Sequence, residues 1–197
     1  IEDLEIKNGE ISVIGVPSRV ITIAELAEMA QSRQGGPGPL MGQGQTALEK
    51  NAPGFTVQLA KIAIDPETGQ IKPVQYLAIQ DVGYPLNPTM VEGQIHGGVG
   101  QGIGIGLHES MDYDSEGQLL RSSFMDYDIP KADSLPNIET ALVQNPSPTG
   151  PYGARGIGEP PIIPGGAVMA NAIKDATGIR IQELPIRSEN LWQKLNE

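Results

Sequence analysis

Glu159 stands in the stretch YGARGIGEPPIIPGG (152–166), with Gly156 and Gly158 before it and Pro160 and Pro161 after it. Glycine gives the backbone torsions and close approaches that other residues do not allow. Pro160 disfavours helical torsions at Glu159 and holds it extended, and Pro161 stiffens the next step of the chain. A carboxylate mounted in this way is aimed in one direction with little crowding around it. It could serve a functional site, since such groups concentrate on loops. The alternative is an exposed loop residue, and the local sequence leaves both open. A helix expected from about residue 166 would turn its free amide ends toward an anion here.

Other residues offer less chemistry. His96 and His108 are the two histidines, about three helical turns apart. His108 precedes Glu109, but Asp112 stands where the second histidine of an HExxH zinc motif would fall. There is no cysteine, so no thiolate holds a metal or an iron–sulfur cluster within this chain. No Gly-x-Ser-x-Gly elbow is present. GGVGQGIGIG (97–106) contains a GxGxxG-like spacing. A dinucleotide fingerprint follows a strand directly and opens a helix, whereas these glycines fall inside a helical segment. Asp81 and Asn87 in QDVGYPLNP read as a turn and a helix cap.

The elements that must carry these residues follow from periodicity. IEDLEIKNGEISV (1–13) alternates around Asn8-Gly9, a hairpin signal. TIAELAEMAQ (22–31) has helical spacing, with Thr22 and Glu25 as a capping box. GGPGPLMGQGQ (35–45) reads as loop. TVQLAKIAID (56–65) and QIKPVQYLAIQDVG (70–83) pair as a hairpin across Pro66–Gly69. Residues 86–109 start a helix at Asn87 and Pro88, with Val91, Ile95, Val99 and Ile103 on one face. Gly93, Gly97, Gly98, Gly100, Gly102, Gly104 and Gly106 weaken it, each by about 1 kcal/mol against alanine. Close approach to another element or to a ligand would offset that. MDYDSEGQLL (111–120) reads as strand and turn, and NIETALVQ (137–144) as strand. AVMANAIKDATG (167–178) reads as a helix ending at Gly178, IRIQELPI (179–186) as a short closing strand, and the last ten residues as a polar tail. Strands and helices interleave without a regular βαβ rhythm, which predicts an α+β fold.

Composition excludes several classes. Thirteen basic against 24 acidic residues leave a net charge of −11, the wrong sign for a nucleic-acid surface. No stretch reaches the roughly 18 apolar residues of a membrane span. The 39% hydrophobic and 19% charged fractions fit a folded chain. The chain opens on Ile1, which is consistent with a fragment or a processed product.

GARGIGEPPIIPGGAVMANAIKDATGIRIQELPI (153–186) resembles the C-terminal signature of the molybdenum hydroxylases, the xanthine dehydrogenase, aldehyde oxidase and molybdopterin-type carbon monoxide dehydrogenase family. QDVGYPLNPTMVEGQIHGGVGQGIG (80–104) resembles a second family stretch, and IDPETGQIKPVQY (64–76) the hairpin before it. The resemblance covers nearly the whole chain and is weakest over residues 1–50. It implies the C-terminal portion of the second molybdopterin cofactor-binding domain, one structural unit over 1–197, completed by upstream sequence or another chain.

The resemblance implies that Glu159 is the catalytic base of an oxidoreductase that hydroxylates an electron-poor carbon of an aldehyde, purine or N-heterocycle, with water as the oxygen source. Partial burial would raise its pKa toward working pH. Gln101 matches a glutamine close to the cofactor, flanked by Gly100 and Gly102, whose backbone would pass close to it. No residue here would ligate molybdenum directly, since the pterin dithiolene holds it. Arg155 stands where the family often has lysine, with a role in placing the loop or stabilising charge. MGQGQ (41–45) reads like a cofactor-contact motif that the family carries well upstream, and is taken as a decoy. The implied cofactor is molybdenum–molybdopterin, with the cytosine dinucleotide form as an option. [2Fe–2S] clusters and, where the family has it, FAD would lie on other domains or subunits. The implied partners are the rest of the molybdopterin-binding subunit, an iron–sulfur subunit and an FAD subunit, in a cytoplasmic dimer of heteromers. The rival reading is a non-catalytic binding or assembly module that keeps the fold. The substrate is not legible.

Overall fold

The computed structural model describes residues 3–31, 38–39, 41–45 and 50–197. The architecture is α+β. The chain divides into two compact units, Ile1–Ala47 and Leu48–Glu197. The first segment satisfies its backbone within its own three-stranded meander and helix, which is why it separates.

The first unit holds β1 (Leu4–Lys7), β2 (Glu10–Val13), β3 (Val16–Thr22) and α1 (Ile23–Gln31). The strands pair antiparallel in the order β1-β2-β3. Asn8 (φ 52°) and Gly9 (φ 82°) make the left-handed turn that the Asn-Gly pair predicts. Thr22 and Glu25 cap α1 reciprocally. The Glu25 amide donates to the Thr22 hydroxyl at 3.1 Å, and the Thr22 amide to the Glu25 carboxylate at 2.9 Å. The loop expected at 35–45 lies partly outside the described residues (35–37 and 40). Residues 38–39 and 41–45 are irregular.

The second unit is built on β4 (Phe55–Ile64), β5 (Ile71–Asp81) and β6 (Asn137–Val143), in the order β4-β5-β6. β4 and β5 form the expected hairpin, from Phe55 opposite Asp81 to Ile64 opposite Ile71. β6 lies parallel to β5, with Gln75 opposite Asn137. A parallel pair needs a long crossover. Here it contains α2 (Pro88–Leu107), so one βαβ unit sits inside a fold expected to lack that rhythm. Asn87 caps α2, its side chain accepting from the Met90 amide at 3.2 Å. α3 (Gly165–Thr177) ends at Gly178 in the left-handed conformation (φ 79°). Tyr76, Ala78 and Val82 from the sheet, Val91, Ile95, Val99 and Ile103 from α2, and Met169 and Ile173 from α3 form the core.

Three expectations change in the structure. The last ten residues are not a tail. They carry α4 (Ser188–Asn196), whose Leu191 is fully buried and whose Leu195, one turn on, packs beside it. Residues 179–186 form no strand. Ile179, Ile181 and Ile186 lie against the core instead, and the Ile186 amide donates to the Gly106 carbonyl of α2 at 2.8 Å. Residues 111–120 make one isolated bridge, Tyr113 to Leu119, around a turn at Asp114–Gly117.

Candidate active site

β5 and β6 run parallel, and both release their chains at the same end of the sheet. β5 leads into α2, and β6 leads into the loop that carries Glu159. Ligands bind beyond the carboxyl ends of parallel strands because divergent loops leave a crevice there. Gln80, beside Asp81 at the end of β5, is fully buried, and its amide has no partner among the described residues. Core polar groups chosen for stability are paired.

The Glu159 loop is pinned at its base by an ion pair that sequence reasoning missed. Arg155 Nε lies 3.2 Å from Asp81 Oδ2, and each side chain is only 10% exposed. Arg155 also donates to the Pro53 carbonyl (2.7 Å) and the Asn145 carbonyl (3.1 Å). Asp81 accepts from the Gly83 amide at 3.0 Å. Asp81 is therefore an anchor as well as a turn residue, and Arg155 serves loop placement. Removing one partner of a buried pair leaves the other uncompensated. The Arg155 amide donates to the Val82 carbonyl, and the Tyr84 amide to the Gly153 carbonyl, each at 3.0 Å. Gly83 (φ 64°) leaves the space this crossing needs, since a side chain there would strike the Gly153 carbonyl.

Glu159 itself opens a turn. Its carbonyl accepts from the Ile162 amide at 2.9 Å. Its side chain is exposed, and its carboxylate makes no hydrogen bond among the described residues. The partial burial expected of it is not seen, because the turn stands on the surface of this unit.

The glycines of α2 divide by face. Gly98, Gly102 and Gly106 recur every four residues and meet the Glu159 loop and the start of α3. A Cβ at Gly98 would lie 2.6 Å from Pro161 Cβ, one at Gly102 would lie 2.9 Å from the Ile162 carbonyl, and one at Gly106 would lie 3.3 Å from Gly166 Cα. Gly165 presses directly on Gly102. Their evident use is contact of helix with helix and loop. Gly100 faces Leu135, at 3.4 Å. So Gly100 and Gly102, expected to let the backbone near a cofactor, are buried against protein, while Gln101 between them is exposed. Gly165 and Gly166 at the start of α3 are likewise buried, Gly166 against Leu184, so they serve packing rather than an anion.

The opposite face differs. Among the described residues Gly93 and Gly97 have nothing within 4 Å of an added Cβ, and Gly97 precedes Gln101 by one turn. Gln101 lies on this side, while Gln94, one turn before Gly98, borders the packed row, about 10 Å from Gln101 along the axis. Gln94 Nε2 lies 3.8 Å from where a Gly158 side chain would begin, so helix and loop meet beside Glu159. Gln94 lies within the 80–104 stretch, where the sequence alone gives it no role. Next to it, a cleft of about 220 Å³ is lined by Tyr84, Leu86, Met90, Val91, Ala154 and Ile157, among others.

This chemistry fits a cofactor that brings its own metal ligands. Among the described residues no group of three or more His, Asp and Glu could hold an ion. His96 is exposed, and His108 Nδ1 pairs with Asp128 at 2.7 Å. What the site offers is amides, a carboxylate and bare backbone, suited to contact around a prosthetic group rather than ligation. No described helix is long and apolar enough to cross a membrane.

The model of the molybdopterin cofactor-binding domain matches residues 1–136. A putative xanthine dehydrogenase molybdenum-binding subunit of Escherichia coli K12 is 32% identical over 98% of this chain and 26% of its own length. The nicotine 6-hydroxylase large subunit of Paenarthrobacter nicotinovorans is 36% identical over 96% of this chain and 24% of its own. A solved structure of the Cu,Mo-CO dehydrogenase superposes with a TM-score of 0.81 at 30% identity, over 99% of this chain and 26% of that one. The chain spans about a quarter of the length of the curated relatives it matches. Nearly full coverage carries the likeness past residue 136 and through the Glu159 loop. The chain belongs to the molybdopterin cofactor-binding domain family of the molybdenum hydroxylases.

Proposed function

We propose that this chain forms part of the active site of a molybdopterin-dependent hydroxylase, with Glu159 as the general base and Gln101 beside the cofactor. The observation that carries the reading is the exposed Glu159 carboxylate on a pinned turn, which meets Gln94 of α2 at the adjacent Gly158. When bound, molybdopterin would supply a redox-active metal able to accept two electrons from the substrate. Glu159 would take the proton from the water-derived nucleophile as it attacks an electron-poor carbon. Gln101 and Gln94 would donate amide hydrogens to the cofactor without adding charge. The Arg155–Asp81 pair would hold the loop so that the carboxylate keeps its aim. The remaining cofactor contacts, the iron–sulfur clusters and any flavin belong, in this reading, to other parts of the subunit and to partner subunits. A cytoplasmic location and the cytosine dinucleotide form of the cofactor are part of the same proposal.

The test is Glu159→Gln in the native complex isolated through this chain. A lost general base lowers kcat by about 10²–10⁴-fold, with molybdenum content unchanged. Turnover at the wild-type rate would favour a non-catalytic assembly module.

A further inference from the structure

Pro160 and Pro161 give the Glu159 turn its stiffness, but they also remove two backbone donors from it. The turn must then be held largely through its carbonyls. One of these has a long-range partner. Gln58, half-buried on β4, donates from its amide nitrogen to the Pro161 carbonyl at 2.8 Å, across 103 positions of sequence. The Gln58 amide oxygen accepts from the Tyr76 hydroxyl at 2.6 Å. Tyr76 lies on β5 opposite Ala60, diagonal to Gln58 and within reach of it. It is 1% exposed, and burial pushes its hydroxyl up to about 12. It therefore keeps its proton at any working pH. A permanent donor on the oxygen end of the amide leaves only the nitrogen end for Pro161, so Tyr76 fixes which way Gln58 points.

We infer that Gln58, oriented by Tyr76, is a positioning residue for Glu159: it braces the Glu159–Ile162 turn from the sheet side and sets where the carboxylate stands. The inference rests on the reading of Glu159 as the base. Neither Gln58 nor Tyr76 need touch substrate or cofactor. The two lie on strands that the core already fixes, so the brace transmits the rigidity of the β4–β5 hairpin to a surface turn.

The experiment uses the native complex with Gln58→Leu, Tyr76→Phe and Glu159→Gln, alone and combined. It reads kcat, KM, molybdenum content and amide hydrogen exchange at Ile162, whose N–H closes the turn. Tyr76→Phe removes one hydroxyl and is the milder variant should Gln58→Leu fold poorly. Each brace variant is expected to speed exchange at Ile162 about tenfold, the effect of one net hydrogen bond, and to leave exchange at Val168 in α3 unchanged. Each is expected to lower kcat about tenfold with KM within about twofold, as for misaimed groups that act in the transition state. In the Glu159→Gln background, Tyr76→Phe should lower the residual rate no further. Unchanged exchange at Ile162 would overturn the brace. Faster exchange with unchanged kcat, or an equal loss in the Glu159→Gln background, would overturn the positioning role. Normal turnover in Glu159→Gln with faster exchange in the brace variants would remove the base reading alone and leave the brace standing.

Discussion

The two faces of α2 use the same residue for opposite ends. On one face Gly98, Gly102 and Gly106 are filled by Pro161, Ile162, Gly165 and Gly166. On the other, Gly93 and Gly97 meet nothing among the described residues, and Gln101 stands exposed one turn beyond Gly97. The first face explains how a glycine-rich helix holds together, because close packing against α3 and the loop offsets its poor propensity. The second face has no such contact among the described residues, which leaves its glycines bare.

Substitutions sharpen this contrast, and the packed face should give the largest effect. Gly165→Ala drives a methyl into Gly102, backbone against backbone, where no side chain can rotate away. Overpacking of this kind costs about 1–3 kcal/mol. Thermal unfolding of the complex is expected to show a lowered Tm, and an unchanged Tm would break the account of the packed face.

The open face should behave differently. At Gly97 a methyl meets nothing among the described residues, and replacing a helix-interior glycine by alanine gains about 1 kcal/mol in propensity. Gly97→Ala is therefore expected to keep or raise stability. If the face meets the cofactor, Gly97→Leu lowers bound molybdenum while leaving the fold intact. Retained molybdenum in a folded Gly97→Leu complex would show that the open face does not meet the cofactor.

The smallest effect is expected beyond the end of α2, away from both faces. Asp112 bonds Arg187 (2.7 Å) and Arg121 (2.6 Å), and the two guanidinium groups, Arg187 first, hold its carboxyl below the ordinary value of 3.8. A lowered folded pKa stabilises above the unfolded value, and that stability is lost as pH falls through the folded one. Asp112→Asn should flatten the acid limb of a stability–pH curve slightly, below about pH 4, and leave activity at neutral pH unchanged.

Local chemistry was legible, and long-range partners were not. The Asn8-Gly9 turn, the Thr22/Glu25 capping box, the Asn87 cap and the Gly178 stop each depend on residues within four positions, and each stands as the sequence predicts. The turn that carries Glu159 is local in the same way, set by its glycine and proline neighbours. By contrast α4 reads as a polar tail, because the burial of Leu191 depends on a partner far back in the chain. The segment 179–186 has strand-like alternation but lies against helices. Asp81 reads as a turn residue until Arg155 is found beside it. The glycine pattern shows that something comes close, but does not say that for Gly102 it is Gly165.

The measurement that bears most directly on the whole account is the molybdenum and pterin content of the native complex captured through this chain. The account predicts both, equimolar with the chain. A complex with its partner subunits intact, but with neither molybdenum nor pterin, would contradict it and return Glu159 to a well-mounted surface residue.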